Sequence, residues 1–213
     1  MARRRASAIG VVLVASIPEE IIATLAENGL CILGGFSPLG EDAILGRECQ
    51  TLIIIGPDET RFWSIFSSSA EYSDGAVDPL DRWSHRVLTQ IATDYGLAAH
   101  FPFGGPPFAP FYQWALRTGR AYASPIQLLV HDTSGLFVSF RGALSLPYSI
   151  EFDMASSVSP CATCAAPCLS ACPVSAFETG DYNTVACSSE IRTYDRQNCL
   201  TKGCAARRAC HLV

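Results

Sequence analysis

The sequence predicts an α+β fold: a mixed domain over residues 1–150, a short linker, and a small cysteine-rich module over residues 151–213. Three observations lead there. Helical and strand periodicities alternate irregularly through the first part of the chain. Eight of the ten cysteines crowd into residues 161–210, leaving Cys31 and Cys49 for everything before them. The 213 residues are also enough for one mixed domain plus an appendage of about fifty to sixty residues.

The elements follow in order. Over residues 17–28, Ile17, Ile21, Ile22 and Leu25 share one helical face and Gly29 is a stop signal. Residues 30–33 then read as a strand. Thr51-Leu-Ile-Ile-Ile55 is a continuous, largely β-branched run ending in Gly56-Pro57, the pattern of a central strand buried on both faces. Asp58 is placed to cap a helix carrying Phe62, Trp63, Ile65 and Phe66. The clearest helix covers residues 79–95. Asp78 is positioned as its N-cap, Pro79 suits the first helical position and Gly96 closes the end. Its buried stripe is Leu80, Trp83, Val87, Leu88, Ile91 and Tyr95. Phe101-Pro-Phe-Gly-Gly-Pro-Pro-Phe108 is too rich in Gly and Pro for a regular element and reads as a shaped loop. A short helix follows over 111–117, then a β-hairpin pairing 126–131 with 136–140 around Gly135.

Composition narrows the classes of partner. Charged residues make up 16% of the chain and its formal net charge is −5, which provides no basic face for nucleic acid. The opening Met1-Ala-Arg-Arg-Arg5 and the apolar run behind it superficially resemble a secretory signal. That run ends in Pro18-Glu19-Glu20, where a cleavage site would stand, so export is not expected. No apolar stretch reaches the roughly 18 residues needed to span a bilayer, so no membrane partner is expected.

The cysteines carry the chemistry. The first group is Cys161-Ala-Thr-Cys164-Ala-Ala-Pro-Cys168-Leu-Ser-Ala-Cys172-Pro173. Three closely spaced thiolates wrap one cubane while a fourth, followed by proline, ligates a second. The run departs from the bacterial ferredoxin spacing by one extra residue between Cys164 and Cys168, which the loop must absorb as a bulge. The second group is Cys187, Cys199, Cys204 and Cys210. When the last cysteine returns to the first cubane, Cys161, Cys164, Cys168 and Cys210 hold one 4Fe-4S cluster. Cys172, Cys187, Cys199 and Cys204 then hold the other. Arg192, Arg196, Lys202, Arg207 and Arg208 surround the second group and would offset anionic clusters. Structural zinc, a disulfide framework and one cluster with spare cysteines stay open as alternatives. Cys31 and Cys49 read as small apolar residues.

With these residues in view, the chain resembles a family of bacterial proteins described as ferredoxins or iron-sulfur proteins of unknown role. The resemblance rests on Asp78-Pro-Leu-Asp-Arg-Trp83, on the 101–107 loop, and on the cysteine module with its Gly203-Cys-Ala-Ala-Arg-Arg-Ala-Cys210 ending. It covers nearly all of the chain after the first helix. More distantly, the layout is similar to epoxyqueuosine reductase, in which a cobalamin-binding, nitroreductase-like α+β domain precedes a two-cluster module. There too an isolated cysteine, here Cys187, joins the second cluster. That similarity implies a cobalamin or flavin site in residues 1–150, with the Gly104 and Gly105 loop as its first candidate wall, since glycines let backbone approach a ligand closely. A tight packing turn is the plainer reading of the same glycines. The reductase's catalytic acid maps onto no position here, and His211 stands where such modules often carry proline. Trp83 and Trp114 read at least as well as core. His85, His100, His131 and His211 are scattered and form no corrinoid-ligating motif.

The expected function is an iron-sulfur protein with two 4Fe-4S clusters that transfers single electrons to or from a redox partner protein. The alternative is a corrinoid- or flavin-dependent oxidoreductase acting on a small-molecule substrate, and a zinc-stabilised interaction domain is a weaker one. Thiolate chemistry without a convincing export signal places the expected location in the cytoplasm.

Overall fold

The computed structural model describes residues 16–40, 42–152, 158–178 and 180–212. The signal-like opening of the chain and part of the expected linker lie outside them. The architecture is α+β, with antiparallel sheets throughout. Its main sheet has four strands in the order β1 (Leu30–Phe36), β2 (Thr51–Pro57), β6 (Gly142–Leu146) and β3 (Ala98–His100).

β2 is the central strand that its isoleucine run foretold, with Leu52, Ile53, Ile54 and Ile55 all fully buried. Because side chains alternate across a strand, Ile53 and Ile55 face one layer and Leu52 and Ile54 the other. The first layer is built from α1 (Glu19–Glu27) and α4 (Pro79–Asp94), which contribute Ile21, Leu25, Trp83, Leu88 and Ile91. The second is built from α5 (Phe111–Arg117), with Phe111 and Trp114 packed over Phe36. Both tryptophans are core residues, Trp83 at 2% exposure and Trp114 at 0%. Burying an isoleucine of this kind contributes about 1.5–3 kcal/mol.

α2 (Phe62–Ser67) and α3 (Ala70–Ser73) join the sheet to α4. The Asp58 carboxylate accepts from the Thr60 and Arg61 N–H groups at 2.9 and 3.2 Å, closing the turn that leads into α2. α4 corrects one expectation. Asp78 has a left-handed backbone, φ 51° and ψ 47°, and its side chain makes no capping bond, although its carbonyl accepts from the Arg82 N–H at 3.0 Å. Arg82 is instead gripped by Asp74 through two bonds of 2.8 Å. Gly96 ends α4 as expected, at φ 65°, with Leu97 N–H reaching back to the Ala92 carbonyl at 2.7 Å.

The expected hairpin is also corrected. β5 (Leu129–His131) pairs with β4 (Ala121–Ala123) in a two-stranded ladder, and residues 136–140 form no strand. His131 and Gly135 exchange backbone hydrogen bonds of 2.9 and 3.0 Å, which closes a tight turn. Leu136 leaves that turn into a third apolar cluster with Ile126, Val130, Cys168, Phe177 and Ala206. That cluster binds the cysteine-bearing segment to the β4–β5 ladder.

A bulge in β1 between Ile32 and Gly34 shifts the register there. The fully buried His131 donates from Nε2 to the Leu33 carbonyl at 2.7 Å, while its Nδ1 lies 2.9 Å from the Thr133 hydroxyl. Burial pushes this imidazole toward its neutral form. It serves as a structural latch. Among the described residues no helix is long and apolar enough to cross a membrane.

Candidate metal centre

The cysteine segment is built from short elements linked by strained turns. A 3-10 turn spans Pro167–Leu169, followed by α6 (Thr184–Thr193), α7 (Cys199–Lys202) and α8 (Ala205–Arg208). Ala166, Ser175, Asp195 and Asn198 all have positive φ, between 41° and 53°. Non-glycine residues in this region cost free energy and tend to cluster where a site requires the backbone to bend. Each lies within four residues of a cysteine.

Ala166 explains the spacing anomaly of the first group. The extra residue between Cys164 and Cys168 is taken up by a left-handed bulge at Ala166, φ 51° and ψ 51°. Its N–H turns back onto the Cys164 Sγ at 3.4 Å. Pro167 then starts the 3-10 turn that carries Cys168.

The eight cysteines sort into two sets of four, each lining its own cavity. Cys161, Cys164, Cys168 and Cys210 share one with Val130, Leu136 and Pro167. Cys172, Cys187, Cys199 and Cys204 share the other with Phe177, Tyr182 and Ala206. This is the partition that sequence spacing suggests. Two short segments cross between the sets, one from Cys168 to Cys172 and one from Cys204 to Cys210. α8 forms the second crossing, and its small Ala205 and Ala206 are buried, which lets the two sets approach.

All ten cysteines are free thiols. Among the described residues, no three His, Cys, Asp or Glu side chains stand close enough to hold a single metal ion. A tetrahedral zinc site at about 2.3 Å per sulfur would need such convergence. The second cavity encloses about 160 Å³ and the first about 10 Å³, the latter enough for one water. Thiolates are the donors that soft metals prefer, and the second cavity is the roomier of the two. A cubane in the first would require its four sulfurs to spread.

Polar groups aim at the sulfurs. The Tyr182 hydroxyl donates to Cys187 Sγ at 3.1 Å, and its ring stacks on Phe177 at 4.8 Å between centroids. The hydrogen bond to Cys187, then burial, push the Tyr182 pKa up to about 12, so the phenol keeps its proton. Ala176 N–H reaches Cys172 Sγ at 3.4 Å, and His211 Nδ1 lies 3.4 Å from Cys164 Sγ. Burial pushes the Cys161 and Cys168 thiols up, and neighbouring sulfurs push the same way. A cation reverses that balance, since metal binding releases thiol protons.

The expected positive charge around the second set is partly spent inside the protein. Arg196 pairs with the buried Glu190, with bonds of 2.9 and 2.6 Å, and Arg208 donates to the Gln197 carbonyl at 2.6 Å. Asp195 holds α7 in place by accepting from the Cys199 N–H at 2.5 Å. Tyr182, Glu190, Asp195 and the Ala166 bulge were not singled out from sequence. Of these, only the extra residue before Cys168 left a readable sign.

Gly104 and Gly105 line neither cysteine cavity, nor the pockets beside Cys31 and Cys49. A Cβ on Gly104 would meet open space, and one on Gly105 would press on Phe108 and Pro107 at 2.8 Å. Cys31 and Cys49 are half-buried and donate to the Pro57 and Thr51 carbonyls at 3.4 and 3.3 Å. Burial raises both thiols, which keeps them unreactive. Comparison with protein-family models, with curated proteins and with solved structures finds no match to this chain.

Proposed function

We propose that this protein binds two 4Fe-4S clusters, one in each set of four cysteines, and transfers single electrons. The observation that carries this reading is the sorting of eight free thiols into two four-thiol cavities, with none left over. When bound, such clusters supply reversible one-electron chemistry at a potential set by charge, hydrogen bonds to sulfur and solvent exposure.

The chain's own residues act on those three terms. Tyr182 O–H and the Ala166 and Ala176 N–H groups place positive dipole ends against Cys187, Cys164 and Cys172, which stabilises added negative charge. Val130, Leu136, Phe177 and Ala206 place apolar surface beside the thiols, of which Cys168 is buried and the others partly exposed. The left-handed backbone at Ala166, Ser175, Asp195 and Asn198 bends the chain close to the cysteines.

An anaerobic reductive titration followed by paramagnetic resonance tests the reading. About two electrons per chain, entering in separate one-electron steps, are expected. A protein that takes up none, or that titrates as a thiol-disulfide couple, rejects it.

A further inference from the structure

Ser124 lies in the turn that joins β4 to β5, well outside the cysteine segment. Its backbone is satisfied: the N–H donates to the Leu128 carbonyl at 3.0 Å and its own carbonyl accepts from the Gln127 N–H at 2.9 Å. Gln127 adopts φ 61° to close this turn. The Ser124 side chain is the exception. The residue is 7% exposed, and its hydroxyl is buried with no hydrogen-bond partner among the described residues.

That hydroxyl lines the same cavity as Cys161, Cys164, Cys168 and Cys210. Of its companions in the wall, Pro125, Val130, Leu136, Ala166 and Pro167 offer no acceptor side chain, while the His211 imidazole there is engaged with Cys164 Sγ at 3.4 Å. An unpaired buried hydroxyl costs about 1–3 kcal/mol, and alanine would fill the same space without that cost. A serine in this position is accounted for once an acceptor enters the cavity between the four sulfurs.

We propose that Ser124 is a positioning residue for the first cluster, its hydroxyl donating to a cluster or cysteinyl sulfur and making that centre easier to reduce. The proposal rests on the two-cluster reading above. It also makes the β4–β5 turn part of the redox site, so the potential of the first cluster depends on a residue outside the cysteine segment.

The experiment uses full-length protein, wild type and Ser124→Ala, reconstituted anaerobically with ferrous iron and sulfide. Iron content and both midpoint potentials are measured, together with urea unfolding of the metal-free forms. Iron content should not change. One midpoint should fall by up to about 59 mV, a tenfold change in a one-electron equilibrium. The same fall should occur in a Cys187→Ser background, where only the first set is complete. Ser124→Thr keeps the hydroxyl and should hold the wild-type midpoint. Metal-free Ser124→Ala should be as stable as wild type or more so, since an orphaned donor has been removed.

If wild type binds about eight irons and Ser124→Ala leaves both midpoints in place, the inference fails while the cluster reading stands. A less stable metal-free Ser124→Ala protein would also overturn it, because the hydroxyl would then be partnered within the protein. If wild type binds no iron, the cluster reading itself fails.

Discussion

The Tyr182 hydroxyl donates to the Cys187 sulfur at 3.1 Å. This bond ties the one cysteine carried in mid-helix to an aromatic pair, Phe177 and Tyr182, packed beside the second cavity. Removing it with Tyr182→Phe keeps the ring stack and deletes only the donor. The midpoint potential of the second cluster should become more negative, with the first unchanged. Potentiometric titration monitored by paramagnetic resonance reads both at once, and an equal shift of both centres would refute a local role.

The division of the thiols has its own test. Cys187→Ser should leave about four irons per chain, held by the first set, and Cys164→Ser about four held by the second. Iron analysis with the spectrum of the surviving centre distinguishes the two variants. Full iron retention in either variant would break the assignment of ligands.

Ala166 occupies a left-handed bulge that suits glycine better than alanine. Ala166→Gly should raise stability by about 0.5–1 kcal/mol, and Ala166→Val should lower it by at least as much. Urea unfolding midpoints report both. If the β-branched variant matches wild type, the bulge is not where the extra residue is absorbed.

A buried network around Asp42 contributes to acid stability. Asp42 accepts from the Leu39 N–H at 2.7 Å, Arg117 at 2.6 Å and Trp114 Nε1 at 3.2 Å. Burial alone would raise its carboxyl, but these donors outweigh it and hold the group below the usual aspartate range. A depressed carboxyl contributes stability above its unfolded pKa, about 3.9, and loses it as pH falls through the lower folded value. Asp42→Asn should cost about 2 kcal/mol at neutral pH, with Arg117 only partly buried. Its unfolding midpoint should also fall less steeply than wild type between about pH 5 and pH 3. Parallel curves would exclude Asp42 as a source of the pH dependence.

How far the sequence could be read depended on the physics behind each feature. The Ile53, Ile54 and Ile55 run and the α4 stripe were plain, because burial selects apolar residues at a fixed period. The two sets of cysteines were plain because their spacing sets which loops can converge. β6 was not legible: Gly142-Ala-Leu-Ser-Leu146 has weak strand propensity and becomes a strand by insertion between β2 and β3. The failure at Asp78 has a conformational cause, since a left-handed backbone there keeps its carboxylate off the helix N–H groups. The hairpin expectation failed because Leu136 is drawn to Val130 and Phe177 instead of to a partner strand. Ser124 and Tyr182 gave no sign in sequence, as their significance lies in what the folded chain sets beside them.

The central claim is that these thiols grip iron rather than one another. Anaerobically isolated full-length protein, analysed for iron, acid-labile sulfide and zinc alongside its paramagnetic resonance spectrum, tests it most directly. The account predicts brown protein with about eight irons and eight sulfides per chain and two reducible centres. Colourless protein, carrying zinc or with its cysteines oxidised in pairs, would contradict it.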